Sequence, residues 1–481
     1  MNAVAQKSPT AGRSSSWRER KPNTSLLRAF VMTSKGFPPA AARGVCVKGL
    51  SPEVDYHHHF AAIIVARLPW RSPGTRPCGK PSTSGLVLQR PSNSRPEGIP
   101  TCAAAAVRIK KGSTMRDPYE KRLEKLREAI SKEGLDAFLV LSLEGSDYPN
   151  LFYLTGFRGS FGILIADEEP LFLTDSRYTE RVRRELPRLP LKEVRGRWIE
   201  YLKEELERKG IRRAGLNSRT TTVKLLELLR QGIPGVEFAP MDGPVEGLRV
   251  TKDENEVKMM REAMNLTEEG LSLALKLLKP GVTEKEVALE LEMWYRKNGA
   301  EDVAFELIVA FGENSSMPHY RPHPGGRRLK EGDAVLFDIG VRYRGYCSDL
   351  TRTFAFGKPP GEFLDVYCAV LEANRRAIQG IRAGLSGAEA DGLARKVIEE
   401  AGLGERFGHG LGHGVGIQVH EAPRLSPISE DTLRPGMAVT VEPGIYLPGR
   451  FGVRIEDLGV VREGGFELLS RFPKDPEAAV I

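Results

Sequence analysis

From residue 119 the chain switches repeatedly between two hydrophobic periods. "YEKRLEKLREAISKEGLDAFLVLS" spaces its apolar residues three and four apart, breaks at Gly134, and resumes as a continuous apolar run, which predicts an amphipathic helix followed by a buried strand. "FGILIADEEPLFLTD" predicts two strands joined at an acidic turn, and "SRYTERVRREL" a helix with Ser176 as its N-cap. "RRAGLNS" reads as a strand and loop, and "TVKLLELLRQG" as a helix closed by Gly232. These elements predict an α/β domain over residues 115–245. Within it "NLFYLTGF" (Asn150–Phe157) reads as a core strand and turn.

The pattern then repeats itself. "LKPGVTEKEV" (Leu278–Val287) matches "IRAGLSGAEA" (Ile381–Ala390), with Gly281 on Gly384, Thr283 on Ser386 and Glu286 on Glu389. Thr283/Glu286 and Ser386/Glu389 are capping-box pairs, in which each side chain satisfies an orphan amide at a helix start. Each half therefore reads as a helix, a glycine turn, a capped second helix and then strands. The fold class expected for residues 246–481 is α+β, a duplicated unit with an internal pseudo-two-fold axis.

Residues 1–114 follow no such pattern. They are rich in Pro, Ser and Arg, and hold 18 basic against 4 acidic residues, whereas the remainder holds 53 against 59. The net charge of +8 therefore resides in the head, and the body offers no basic stripe for nucleic acid. The head has the composition of a disordered segment or transit peptide. A further expectation is that translation starts at Met115, because "KKGSTM" precedes it and a helix follows directly. The "HHH" run at His57–His59 reads as solvated. No run approaches the roughly 18 apolar residues of a membrane span. The 5 cysteines show no CxxC or framework spacing, which fits a reducing cytoplasm.

The strands after each helix pair carry acids where a core would not. In "DAVLFDIGVRYRGYCSDLTRTFAF" a turn at Tyr343–Gly345 brings Asp338 and Asp349 nearly opposite each other. In "AVTVEPGIYLPGRFGVRIEDLGVV" a turn at Leu447–Arg450 brings Glu442 near Glu456. Facing carboxylates about 5 Å apart repel. Arg352 and Arg454 are nearby and would neutralise one acid, but four converging carboxylates call for about four positive charges. Two divalent cations supply them, and the oxygen-rich donors suit Mn²⁺ foremost, then Co²⁺, Fe²⁺ or Zn²⁺.

The body's histidines are His319, His323, His409, His413 and His420. His319 sits in the Pro- and Ser-rich "ENSSMPHYRPH", and His323 reads as solvent-facing. In "FGHGLGHGVGIQVHEAP" the spacing of four suggests a zinc helix, but five alternating glycines at about 1 kcal/mol each forbid it. An extended chain would place His409, Leu411, His413 and Val415 on one face and bare glycines on the other, where backbone or substrate can approach closely.

"FDIG…YCSDLTRTF", "GHGLGHGVGIQVHE", "VEPGIY" and "VRIEDLGVV", in that order, resemble the pita-bread metallopeptidases of family M24, in their proline-peptide branch of aminopeptidase P and prolidase. "YLTGF" resembles the N-terminal domain shared with creatinase. The resemblance implies a C-terminal pita-bread catalytic domain over 246–481 behind a creatinase-like α/β domain over 115–245. It implies Asp338, Asp349, His413, Glu442 and Glu456 as ligands of two divalent metals. It gives His319 and His420 to the substrate and the tetrahedral intermediate, Glu442 also to proton transfer, His409 and Tyr446 to the substrate pocket, and Arg454 to bracing the carboxylates beside it. The implied activity is hydrolysis of an Xaa-Pro bond at a peptide's N-terminus, with dipeptide-only prolidase activity and an inactive peptide-binding homologue as alternatives. Proline-containing peptides are the expected partners, a homodimer the expected assembly, and neither nucleic acid nor membrane is expected.

Overall fold

Apolar runs between residues 137 and 241 pair into a six-stranded sheet ordered Leu191–Val194, Leu171–Asp175, Phe161–Ala166, Ala137–Leu143, Arg213–Asn217, Glu237–Met241. The three adjacent strands from Leu171 to Leu143 pair antiparallel and the outer pairs are parallel. This computed structural model describes residues 117–359 and 361–481; the basic head, with its triple histidine and the Met115 start, lies outside the described residues. Strand periodicity sends alternate side chains to opposite faces. Phe138 and Val140 join Leu123, Leu126 and Ile130 of the Pro118–Lys132 helix, whereas Ala137, Leu139 and Leu141 join Ile199, Leu202, Leu206 and Leu229 of later helices. A sheet buried on both faces explains why its strands read as unbroken apolar runs. The first of these clusters continues into Val257, Met260 and Met264 of the Glu254–Leu277 helix, so one core joins the sheet to the rest of the chain.

Three local expectations are corrected. "NLFYLTGF" is a helix, Tyr148–Thr155, ended by Gly156 at φ +81°. Asn150 to Thr155 are all buried, so the run lacks an exposed polar stripe and its period cannot separate helix from strand; Pro149 in the first turn was the available signal. Ser176 does not cap the next helix, which begins at Thr179 behind Tyr178. The Asp175 carboxylate shapes that turn instead, accepting from the Arg177 amide at 2.9 Å. Gly232 is the last helical residue and does not adopt a left-handed cap. A Cβ there would stand 2.5 Å from Ile199 Cδ1, so packing explains the glycine.

In the second half of the chain, helices Glu254–Leu277 and Glu284–Lys297 precede strands Ile308–Phe311, Ala334–Ile339 and Leu350–Ala355. Helices Phe363–Gly380 and Gly387–Glu400 precede strands Gly412–Gly414, Glu421–Leu425, Ala438–Val441 and Asp457–Arg462. Both capping boxes form, at Thr283/Glu286 and Ser386/Glu389. The preceding turns take Gly281 and Gly384 to φ +87° and +90°, where a side chain would be strained.

Asp147 precedes the Tyr148 helix and is almost fully buried, and its Oδ1 accepts from Asn150 Nδ2 at 2.8 Å. Burial, then the nearby Glu246, pushes its carboxyl up from the ordinary 3.8 to about 7. The fold thus favours the protonated acid: its contribution to stability is complete below the unfolded value and is lost as pH rises through about 7. Asp147→Asn is expected to flatten the fall in thermal midpoint between about pH 4 and pH 7. Identical slopes for the two proteins in a thermal scan series would count against it.

Candidate metal centre

Two hairpins build the site. In the first, the Ala334–Ile339 and Leu350–Ala355 strands pair with Asp338 opposite Thr351 and Ile339 opposite Leu350. Asp349 lies just before that ladder, diagonal to Asp338 and on the same face. The turn uses Arg344 and Gly345, at φ 49° and 84°, and two consecutive positive φ values mark the turn whose twist matches a hairpin. In the second, Gly444 pairs with Arg454 and Val441 with Asp457. Glu442 and Glu456 lie between those two ladders at the same register, released from continuous pairing so that both carboxylates face inward.

One ligand atom each of Asp349, His413 and Glu456 lies within 4.8 Å of the others. His413 Nε2 stands 3.6 Å from Asp349 Oδ2 and 3.5 Å from Glu442 Oε1. Its Nδ1 faces the Gly414 carbonyl at 3.1 Å. That contact fixes the proton on Nδ1 and leaves the Nε2 lone pair aimed at two carboxylates. A lone pair facing carboxylate oxygens is favourable only with a cation between them or a proton added. Burial, and then His420, lowers the His413 pKa to about 4, so the ring is not the source of that proton near neutrality. Burial, then Glu456, Asp338 and Glu442, raises Asp349; burial, then Glu442 and Asp338, raises Glu456. Burial also carries Glu442 up to about 8. The donor set therefore fits a hard divalent cation, and without one its acids hold protons in place of metal.

Asp338 is bound differently. Its Oδ2 is paired with Arg454 Nη2, which leaves Oδ1 for the cluster. Arg454 also donates through Nε to Thr351 Oγ1 at 3.1 Å and through Nη1 to Tyr446 OH at 2.8 Å. Thr351 Oγ1 donates in turn to Glu456 Oε2 at 2.8 Å. Tyr446 OH meets His409 Nε2 at 3.0 Å, and His409 Nδ1 meets the Gly410 carbonyl at 2.8 Å. These contacts define one direction of donation, from Arg454 to Tyr446 to His409 to backbone. Burial, and then Arg454, lowers the His409 pKa to about 4, so its ring is neutral and can accept from the phenol. Arg352 is not part of the cluster; it pairs with buried Asp457 at 2.8 Å.

All ten residues singled out by sequence converge: nine line one cavity of about 1200 Å³, and Tyr446 lies behind its wall against His409 and Arg454. His319 and His420 are exposed on the cavity surface, and the His420 ring lies 4.3 Å from that of His413, centre to centre. His323 is exposed outside the cavity lining.

The glycine face is used as expected. A Cβ on Gly412 would stand 2.1 Å from Thr440 O, and one on Gly414 2.1 Å from Ala422 O. The strict alternation is not kept. His409 and His413 face the cavity, whereas Leu411 and Val415 are buried in two separate cores. Only Gly412–Gly414 is strand, and a bulge at His413/Gly414 re-aims the chain.

Sequence reasoning missed Arg424. It pairs with His413 across the Gly412–Gly414 and Glu421–Leu425 strands, lines the cavity, and has no ion-pair partner among the described residues. Its signal was the short return from His413 through "HEAPR", which needs no more than one hairpin.

Metallopeptidase family M24 matches residues 258–463, and the creatinase/prolidase N-terminal domain matches residues 122–251. The uncharacterized peptidase YqhT of Bacillus subtilis is 39% identical, over 74% of this chain and 99% of that protein. Among solved structures, an Xaa-Pro dipeptidase from Bacillus anthracis superposes with a TM-score of 0.71 at 38% identity, covering 76% of this chain and 100% of its own. An X-Pro aminopeptidase from Thermotoga maritima MSB8 superposes at 0.70 with 37% identity, covering 74% and 99%.

Binding to the folded state alone stabilises it, by about 2.7 kcal/mol at a hundredfold excess over Kd. Mn²⁺ added to chelator-stripped protein is therefore expected to raise the thermal midpoint, and Asp349→Ala to abolish the rise. An equal rise in both would place the ion elsewhere.

Proposed function

The chain belongs to metallopeptidase family M24, with a creatinase/prolidase N-terminal domain, and from that premise we propose that it hydrolyses Xaa-Pro bonds at the N-terminus of peptides, using two divalent cations held by Asp338, Asp349, His413, Glu442 and Glu456. The observation that carries this reading is the buried convergence of carboxylates on the His413 lone pair at the floor of a cavity lined by three further histidines.

Divalent cations, when bound, supply Lewis acidity toward the scissile carbonyl and lower the pKa of the attacking water. The chain's own groups do the rest. Glu442 accepts the proton of that water and passes it toward the leaving proline nitrogen. His420 and His319, on the open side of the cluster, donate to the carbonyl oxygen as negative charge develops there. Neutral His409, oriented by Tyr446, lines the wall where the proline ring sits. Arg454 holds Asp338 in place and offsets part of the negative charge of the cluster. Homodimer assembly and a cytoplasmic location belong to the same proposal. Among the described residues no helix is long and apolar enough to cross a membrane.

Two observations support two different substrate lengths. The cavity of about 1200 Å³ is lined by Arg219, Thr220, Glu246 and Ser426 as well as by the cluster, and its volume supports peptides longer than two residues. Arg424, cationic, beside His413 and without an ion-pair partner among the described residues, favours the second reading, a dipeptidase that holds the carboxylate of the C-terminal proline.

Asp349→Ala and His413→Ala are expected to lose bound metal and activity on Xaa-Pro and Xaa-Pro-Yaa peptides, with the circular dichroism of the folded chain retained; full hydrolysis by both variants would falsify the site. Arg424→Met separates the substrate classes. Loss of a charge-assisted contact lowers kcat/KM roughly tenfold to a hundredfold. That loss should be confined to Xaa-Pro if the arginine reads a terminal carboxylate. Equal loss on Xaa-Pro-Yaa peptides would remove the dipeptidase reading.

A further inference from the structure

Each of the three cavity histidines outside the metal cluster sits on a segment held by a buried acid that the mechanism does not use. We infer that Glu284, Asp391 and Glu421 are positioning residues, each fixing the segment that carries one histidine: Glu284 for His319, Asp391 for His409 and Glu421 for His420. This rests on the catalytic and binding roles proposed for those histidines.

Glu284, the first residue of the Glu284–Lys297 helix, is fully buried. Its Oε1 accepts from the Phe311 amide at 2.8 Å and Asn314 Nδ2 at 2.9 Å. Its Oε2 accepts from Tyr320 OH at 2.5 Å and the Arg327 amide at 2.9 Å. One carboxylate thus closes the loop from 311 to 327, and one of its donors is the residue next to His319. Gly326 permits the approach, because a Cβ there would stand 2.7 Å from Glu284 Oε2.

Asp391, on the Gly387–Glu400 helix, is 1% exposed. Its Oδ1 accepts from the Leu411 amide at 2.9 Å. It also orients Arg395, which donates to the His409 carbonyl at 2.7 Å and the Phe407 carbonyl at 3.0 Å. Backbone groups before, at and after His409 are tied to one acid–arginine pair.

Glu421 follows His420 directly, and its side chain is 6% exposed. It accepts from the Gln418 amide at 2.9 Å, from Arg249 Nη2 and from Lys252 Nζ at 3.4 Å. Arg249 continues to Gln418 Oε1 at 2.9 Å and Asn150 Oδ1 at 2.8 Å, so the turn that presents His420 is anchored to the region that carries the six-stranded sheet.

A fully satisfied buried carboxylate holds several chain segments in one arrangement, and losing its charge leaves several donors poorly matched. A merely structural acid would lower stability without reporting on a particular histidine. Matched and crossed double-variant cycles on the metal-loaded full chain separate the two cases. Glu284→Gln, Asp391→Asn and Glu421→Gln are each expected to lower kcat on an Xaa-Pro-Yaa peptide roughly tenfold, with metal content unchanged. The matched pairs, such as Glu284→Gln with His319→Ala, should be no slower than the histidine variant alone. Crossed pairs, such as Glu284→Gln with His409→Ala, should multiply. Tyr320→Phe, which deletes one donor to Glu284 and is mild enough to fold, should give a smaller loss that also vanishes in the His319→Ala background. Unchanged kcat in the acid variants, or matched pairs that multiply like crossed ones, would overturn the inference while leaving the metal site standing. Histidine variants with full kcat would overturn both the inference and the roles on which it rests.

Discussion

Carboxylates held close together in a buried cavity repel, and this structure is organised around holding four of them there. At an effective dielectric near 20, two unit charges 4 Å apart cost about 4 kcal/mol. The chain meets this in three ways. Asp349, Glu442 and Glu456 lie where the hairpin ladders break off, which frees their backbone to turn the side chains inward, whereas Asp338 stays in its ladder opposite Thr351. Arg454 places one buried positive charge against Asp338. Thr351 donates a hydroxyl to Glu456. The repulsion that remains would be relieved by a divalent ion among the carboxylates.

Much of this was legible in the sequence because it depends on spacing. A hairpin has a fixed register, so placing its turn at Arg344–Gly345 or near Leu447–Arg450 also places the acids on either side. The repeat was legible because capping boxes are short and local. What escaped depends on approach from a distance. The Tyr148–Thr155 helix is buried along nearly its whole length, so tertiary packing had erased the stripe that marks a helix. The bulge at His413/Gly414 shifts which side chains share a face, and a bulge leaves no periodic trace. Arg424, Glu284, Asp391 and Glu421 look like ordinary surface charges in a linear sequence. Their burial or their aim is set by segments many residues away, such as the 36-residue separation between Glu284 and Tyr320.

The sheet of residues 137–241 is not a loosely tethered appendage. It shares a hydrophobic core with the Glu254–Leu277 helix, and Arg249 and Lys252 reach from the junction into the turn beside His420. Glu246, a helical turn before Arg249, lines the same cavity. The cavity is therefore walled by both regions, and its shape depends on how they are joined as well as on the hairpins beneath.

The repeat has also lost its equivalence at one position. Glu284 opens the second helix of the first half, and the offset that aligns Thr283 with Ser386 places Gly387 there in the second. A Cβ on Gly387 would stand 2.2 Å from the carbonyl of Arg424. The space that a carboxylate fills in one half is filled in the other by the main chain of the strand bearing Arg424. A duplicated frame has thereby acquired a polarity: one half presents a clamped histidine loop to the cavity and the other an arginine strand, so the cavity has two chemically unlike walls.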